Sequence, residues 1–440
     1  MVMMQKIIIK NFGPVKDCAL TLCNFMILIG EQATGKSTIC KCIYYFKTIR
    51  DEVKSHLHKI LDQGSDYSDQ FPECLYVELK NKFEDLFGMS TFKKEFVLDY
   101  IYNDEISLRI DTTLVEKRNL NFIFSNKLIN SIKELEGKAH NQHDILKNMK
   151  FSEELYYQLE KNKFFMIMDK EVNQIFGDDR ENFYIPAGRG LLSLLTKQLL
   201  NIELKNMDYI TADFMKLIQR NRDLFDGVWS EVFDKSDILS IVKVKRDNLR
   251  TNVKSLLKGE YYYHNEKEYI RLNNKKSLPI NFASSGQQEI LWIVNLLFLW
   301  MIREKKVFVV IEEPEAHLFP RAQKEIVEFI SLFVNSHDNN VMITTHSPYI
   351  LTAANNLLYA GKIGAIKNDL VQKIIPRDKW INPQEFGAFM IGDKGQKYVK
   401  SIIDQELKEI AAEEIDDTSN EIRNIYAEIF QLEVDDNNAE

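Results

Sequence analysis

The chain is poor in cysteine, and the five it has, Cys18, Cys23, Cys40, Cys42 and Cys74, form an odd set without a Cys-x-x-Cys pair. That excludes a disulfide framework and a zinc knuckle, and it fits a reducing cytoplasm. Long apolar runs are also missing. The longest, residues 290–302, is interrupted by Asn295 and is too short to cross a bilayer. A buried helix is expected there, and no membrane partner. The first ten residues hold too short an apolar run for a secretion signal and no small-residue cleavage site. Nor is there an excess of positive charge. The formal net charge of −8 argues against a uniformly basic nucleic-acid binder. A local basic groove stays open: residues 243–250 read Lys-Val-Lys-Arg-Asp-Asn-Leu-Arg, with a solvated helix face as the alternative. No internal repeat or sustained heptad is present, so no long coiled-coil arm is expected. The pairs His56/His58 and His140/His143 lack a third Cys or His nearby and read as solvated faces, not metal sites.

What is present is a globular composition over 440 residues, 45% hydrophobic and 28% charged, long enough for a large core and two lobes. Residues 5–10 and 24–29 read as strands linked through the turn signal Asn11-Phe12-Gly13-Pro14. A helix is expected over 36–61. Hairpins are expected around Asn103-Asp104-Glu105 and Asn265-Glu266, with a further strand over 120–124. Residues 127–176 and 191–257 read as mostly helical. Residues 307–311 and 341–345 are short apolar runs of the kind found in buried parallel strands.

Three stretches carry chemistry. Phe25-Met26-Ile27-Leu28-Ile29 runs into Gly30-Glu31-Gln32-Ala33-Thr34-Gly35-Lys36-Ser37-Thr38, a G-x-x-x-x-G-K-S/T phosphate loop in its strand–loop–helix setting. The glycines let the backbone wrap so that successive N–H groups face phosphate oxygens. Lys36 is placed for the outer phosphates, the Ser37 hydroxyl for Mg²⁺, and Thr38 for further donation at the helix N-terminus. Second, the strand 307–311 ends in Glu312-Glu313. In an open parallel sheet ligands bind at the carboxyl ends of strands, so one carboxylate can hold Mg²⁺ and the other can orient or deprotonate water. Third, the strand 341–345 ends in His346, which can donate to a γ-phosphate or position the water. Ala283-Ser284-Ser285-Gly286-Gln287 precedes the apolar helix and by itself says only that a helix is capped there.

The order of these pieces resembles the ABC-type ATPases, in the cytosolic branch with RecF, SMC and overcoming-lysogenisation-defect proteins. Glu312-Glu313-Pro314-Glu315-Ala316-His317-Leu318 and Ser284-Ser285-Gly286-Gln287-Gln288-Glu289 look most like the overcoming-lysogenisation-defect type and the anti-phage-defence ATPases, and the chain resembles the ATPase subunits of systems such as Septu and PARIS, which pair such an ATPase with a second protein. The resemblance implies an α/β P-loop NTPase of ABC-ATPase type, with a mixed sheet, an antiparallel β lobe and a helical insertion. It implies ATP and Mg²⁺ as ligands, Ser37 and Glu312 at the metal, Glu313 as general base and His346 as switch histidine. It places Ser284, Ser285, Gly286 and Gln287 on the γ-phosphate of a second copy, hence an ATP-dependent homodimer, and sets Asn11 and Phe12 near the base or ribose. Arg189, in Ile185-Pro186-Ala187-Gly188-Arg189, either faces the nucleotide or is a surface residue after a turn. The implied parts are a split core over 1–50 and 260–360, a β lobe over 90–128, a helical insertion over 129–258 and an acidic, helical segment over 361–440. The related lysogenisation-defect proteins carry a nuclease needing a Glu and an Asp-x-Asp at strand ends. No such set follows His346, so a separate effector protein is expected. Direct action on DNA or RNA, as in RecF, is the second reading.

Overall fold

The computed structural model describes residues 5–64, 70–88, 95–113, 119–148, 154–190, 192, 207–225, 240–273, 276–392 and 398–411. Two sheets share one helix. The first sheet is five-stranded and antiparallel, in the order β2-β1-β4-β5-β6. It comprises β1 (Lys6–Phe12), β2 (Val15–Thr21), β4 (Val97–Ile101), β5 (Ser107–Thr113) and β6 (Asn119–Phe124). The second is six-stranded, running β14-β13-β3-β12-β11-β7. Its strands are β3 (Phe25–Ile29), β7 (Glu181–Ile185), β11 (Val307–Glu312), β12 (Asn340–Thr345), β13 (Phe386–Ile391) and β14 (Val399–Ser401). Its pairings are parallel except for β14 on β13.

Strand periodicity shows how the two layers form. In β11, Val307, Val309 and Ile311 face one core, and Phe308 and Val310 face the other. The first core is closed by α7 (Ser285–Ile302), α8 (Pro320–Val334) and α9 (Pro348–Gly364). The second holds α1 (Lys36–Gln63) and the antiparallel sheet. As expected from its near-continuous apolar run, α7 is buried around its circumference, Asn295 included. Helices α2 (Glu73–Phe87), α3 (Asn126–Lys147) and α4 (Glu154–Phe176) add to α1, while α5 (Tyr209–Arg222) and α6 (Ser240–Leu257) add to the other side.

Both hairpins form where the turn residues put them, β4–β5 and β8 (Glu260–His264) with β9 (Lys267–Asn273). Three boundaries differ. Residues 6–21 form a β1–β2 hairpin of the antiparallel lobe, so the lobe begins at β1 and not at residue 90. β7, inside the span assigned to a helical insertion, is an edge strand of the core sheet. The segment after 361 is not uniformly helical, because β13 inserts beside the phosphate-loop strand β3. Its Phe386, Ala388 and Ile391 are buried, and that burial outweighs the segment's acidic, helix-favouring composition. The acidic tail after residue 411 lies outside the described residues.

Candidate nucleotide-binding site

The carboxyl ends of the parallel strands meet along one edge. β3 feeds the phosphate loop, β12 lies beside it, and β11 lies beside β12. The loop needs its glycines. A Cβ on Gly30 would stand 2.3 Å from the Ile391 carbonyl oxygen, and Gly35 has a φ of 90°. The loop is braced from outside: Pro14 and Val15 lie against Gly35, and the Tyr398 hydroxyl donates to the Thr34 carbonyl. Glu31, Gln32 and Ala33 form an exposed tip, and the Ser37 and Thr38 side chains lie in the first turn of α1. The Lys36 ammonium folds over its own loop, donating to the carbonyls of Gly30 at 2.7 Å and Glu31 at 2.8 Å. Burial lowers its pKa, and the carboxylates of Glu313, Glu315 and Glu312 work against that. An anionic phosphate in the loop offers Lys36 a charged acceptor in place of neutral carbonyls.

The two acids of β11 are held differently. Glu312 is buried; its carboxylate accepts from the Tyr184 hydroxyl at 2.8 Å and the Ala187 N–H at 3.1 Å. Burial, with Glu312 beside it, pushes the Tyr184 phenol far up, so it stays a donor. Each Glu312 oxygen keeps a second lone pair beyond the bond it already accepts. Glu313 is 41% exposed, and its carboxylate lies 3.5 Å from His346 Nε2. Its backbone sits at φ 43°, with the N–H donating to the Thr344 carbonyl at 2.9 Å. Glu315 anchors the neighbouring turn, accepting from the Thr345 hydroxyl at 2.6 Å and the His346 N–H at 2.8 Å. Burial raises its pKa, against the pull of those two donors.

The helix α7 begins with a capping box. Ser284 accepts from the Gln287 N–H at 3.3 Å, and Gln287 Oε1 accepts from the Ser284 N–H at 3.0 Å. Ser284 and Ser285 are exposed, so the helix N-terminus is open to an anion. A Cβ on Gly286 would stand 2.8 Å from the His317 carbonyl, so this turn packs on the chain leaving Glu312-Glu313.

A family model described as an AAA ATPase domain matches residues 3–351. The chain belongs to that family. With membership come the P-loop NTPase fold and a nucleotide as the expected ligand of the Gly30–Thr38 loop. A search of the curated proteins found no match. The similar solved structures include an SMC head bound to the C-winged helix domain of ScpA, at 11% identity over 91% of this chain and 97% of that one, with a TM-score of 0.42. An SMC head domain from Thermotoga maritima is 9% identical over 80% and 92%, at 0.35. An SMC head with extended coiled coil, bound to the C-terminal domain of ScpA and derived from Pyrococcus furiosus, is 12% identical over 91% and 96%, at 0.37.

In this ATPase domain Phe12 does not stand at the nucleotide edge. It is fully buried among Phe83, Phe87 and Phe96, with ring centroids 4.8 to 5.6 Å away. Asn11 is exposed at the same turn with φ 55°, and it is Pro14 and Val15 that touch the loop. Arg189 is neither at the surface nor aimed at an open cleft, being fully buried. Tyr184 and Tyr398 were missed. Tyr184 had a signal, its place one residue before the end of a strand. Tyr398 had none, because it lies in a segment expected to be helical.

Proposed function

We propose that this chain binds ATP with Mg²⁺ and hydrolyses it, with Glu313 as general base and His346 positioning the γ-phosphate or the water. In this reading Lys36 and the Gly30–Thr38 backbone hold the phosphates, and Ser37 and Glu312 hold the metal. A bound Mg²⁺ would neutralise charge developing on the phosphates. ATP closes two copies around two nucleotides, each completed by Ser284–Gln287 of the other. The closed state serves as a switch for a separately encoded effector in cytoplasmic anti-phage defence. The observation that carries the reading is convergence. The phosphate loop, an exposed glutamate 3.5 Å from an exposed histidine, and a capped helix N-terminus share one sheet edge.

Direct action on nucleic acid draws less support. In the basic stretch 243–250, Arg250 is already 3.0 Å from Glu260. Light scattering on Glu313→Gln with Mg²⁺-ATP tests the switch. Twice the monomer mass is expected, reverting to monomer when Ser284→Arg fills the anion site. A monomer with ATP bound would end the dimer proposal. Capture of the ATP-trapped form during phage infection then separates an effector protein from bound DNA or RNA.

A further inference from the structure

Arg189 is 0% exposed, and its guanidinium is spent on backbone oxygens from three separate segments. Nη1 donates to the carbonyls of Pro186 at 2.7 Å and Glu312 at 2.6 Å. Nη2 donates to the Glu313 carbonyl at 2.8 Å. Nε donates to the Glu289 carbonyl at 2.8 Å and lies 3.7 Å from the Glu289 carboxylate. That carboxylate also accepts from the Gly190 N–H at 3.1 Å. Glu289 sits in the early turns of α7, five residues after the Ser284 cap. One buried cation therefore ties the end of β7, the acid pair of β11 and the start of α7 together. The planar fork of an arginine suits several carbonyls at fixed angles, and a lysine ammonium does not. The Glu313 backbone is the strained point of the set. It holds a left-handed φ of 43°, fixed on its N–H by Thr344 and on its carbonyl by Arg189.

We propose that Arg189 is a positioning residue that fixes the Glu313 backbone against the start of α7. A ligand engaged at Ser284–Gln287 is thereby reported to the hydrolysing carboxylate. Arg189 is fully buried and holds the carbonyls of Glu312 and Glu313, so it acts through the Glu313 backbone and not on the nucleotide. The inference rests on the ATPase reading above and names how its two halves are coupled.

The test is steady-state ATP hydrolysis by wild type, Arg189→Lys, Glu289→Gln, Glu313→Gln and the double variant Arg189→Lys/Glu313→Gln. A misplaced reacting group costs on the order of 100-fold, so Arg189→Lys is expected to lower kcat by about that factor. KM for ATP and binding of a fluorescent nucleotide should move less than about threefold, since ground-state contacts are untouched. Glu289→Gln keeps an acceptor for Gly190 but loses its charge, and a smaller kcat loss of the same pattern is expected. The double variant should match Glu313→Gln, because the two residues act as one unit. A kcat for Arg189→Lys within threefold of wild type overturns the inference, as does a loss that multiplies with that of Glu313→Gln. If Arg189→Lys does not fold, wild-type kcat in Glu289→Gln overturns it instead. Absence of hydrolysis by the wild-type chain sinks the ATPase reading and this inference with it. Wild-type hydrolysis with an unaffected Arg189→Lys sinks this inference alone.

Discussion

The two ends of the parallel sheet are built from the same kinds of side chain and treat them in opposite ways. At the carboxyl end, Glu313 and His346 are 41% and 32% exposed and separated by 3.5 Å. At the amino end, the charges are buried and paired. Lys47 and Asp178 are 3% and 7% exposed at 2.6 Å, and Gln5 accepts from both Lys47 and Tyr100. Arg50 donates to the carbonyls of Asp178 and Arg180, and Arg180 bridges Asp178 and Asp338. A cleft of about 940 Å³ opens at this amino end, lined by Lys47, Asp178, Arg180 and Glu385. Its buried charges are already satisfied by one another, while those at the carboxyl end are held in place without being used up. Chemistry needs the second condition.

Substitutions at the two ends should therefore fail in different measurements. The largest effect is expected from Glu313→Gln. Loss of a general base lowers kcat by roughly 10²–10⁴-fold, with nucleotide binding kept, as read by turnover and by fluorescent-nucleotide titration. Lys47→Ala should do the reverse. Breaking a buried ion pair costs about 3–5 kcal/mol, visible as a lowered denaturation midpoint, with little change in nucleotide affinity per folded molecule. Lys36→Ala removes charge-assisted hydrogen bonds worth roughly 1.5–3 kcal/mol, seen as a weaker Kd for ATP and near-normal stability. The smallest effect is expected from Lys306→Ala. Its partner Asp179 lies 2.8 Å away, but both are about half exposed, so the stability change should stay below about 1 kcal/mol.

Acid sharpens the contrast further. Burial pushes the Asp178 carboxyl up, but Lys47 and Arg180 overcome this and hold it well below the usual carboxylate range. A group whose folded pKa is depressed stabilises the fold above its unfolded pKa, and that contribution fades as pH falls towards the folded value. Stability from this pair should thus be whole at neutral pH and decline below about pH 4. Asp178→Asn should flatten that acid limb in pH-dependent urea unfolding. An unchanged limb would place the acid sensitivity elsewhere.

The legible features were the local ones. A strand–loop–helix with fixed glycine spacing announces itself within nine residues, and an apolar run ending in two acids within seven. The hairpins at Asn103–Glu105 and Asn265-Glu266 were legible for the same reason, since turn chemistry is short-range. What stayed hidden depends on residues far apart in sequence. Phe12 stands 18 residues before the phosphate loop, and contacts with Phe83, Phe87 and Phe96, about 70 residues or more downstream, take its ring into the core. β13 is a six-residue run, recognisable only once β3 stands beside it. Arg189 follows a turn, where arginines are usually solvated. Its burial comes from carbonyls at positions 289, 312 and 313, about 100 residues or more downstream.

Hydrogen exchange with and without Mg²⁺-ATP would separate the two ends in one experiment. Slowed exchange is expected at residues 30–39, where backbone N–H groups meet phosphate, and around 312–318 and 346. The amide protons of 178–182 and 340, at the amino end, should be unchanged. Protection centred on that amino-end cleft, with residues 30–39 exchanging as in the free protein, would contradict the placement of the nucleotide at the carboxyl edge.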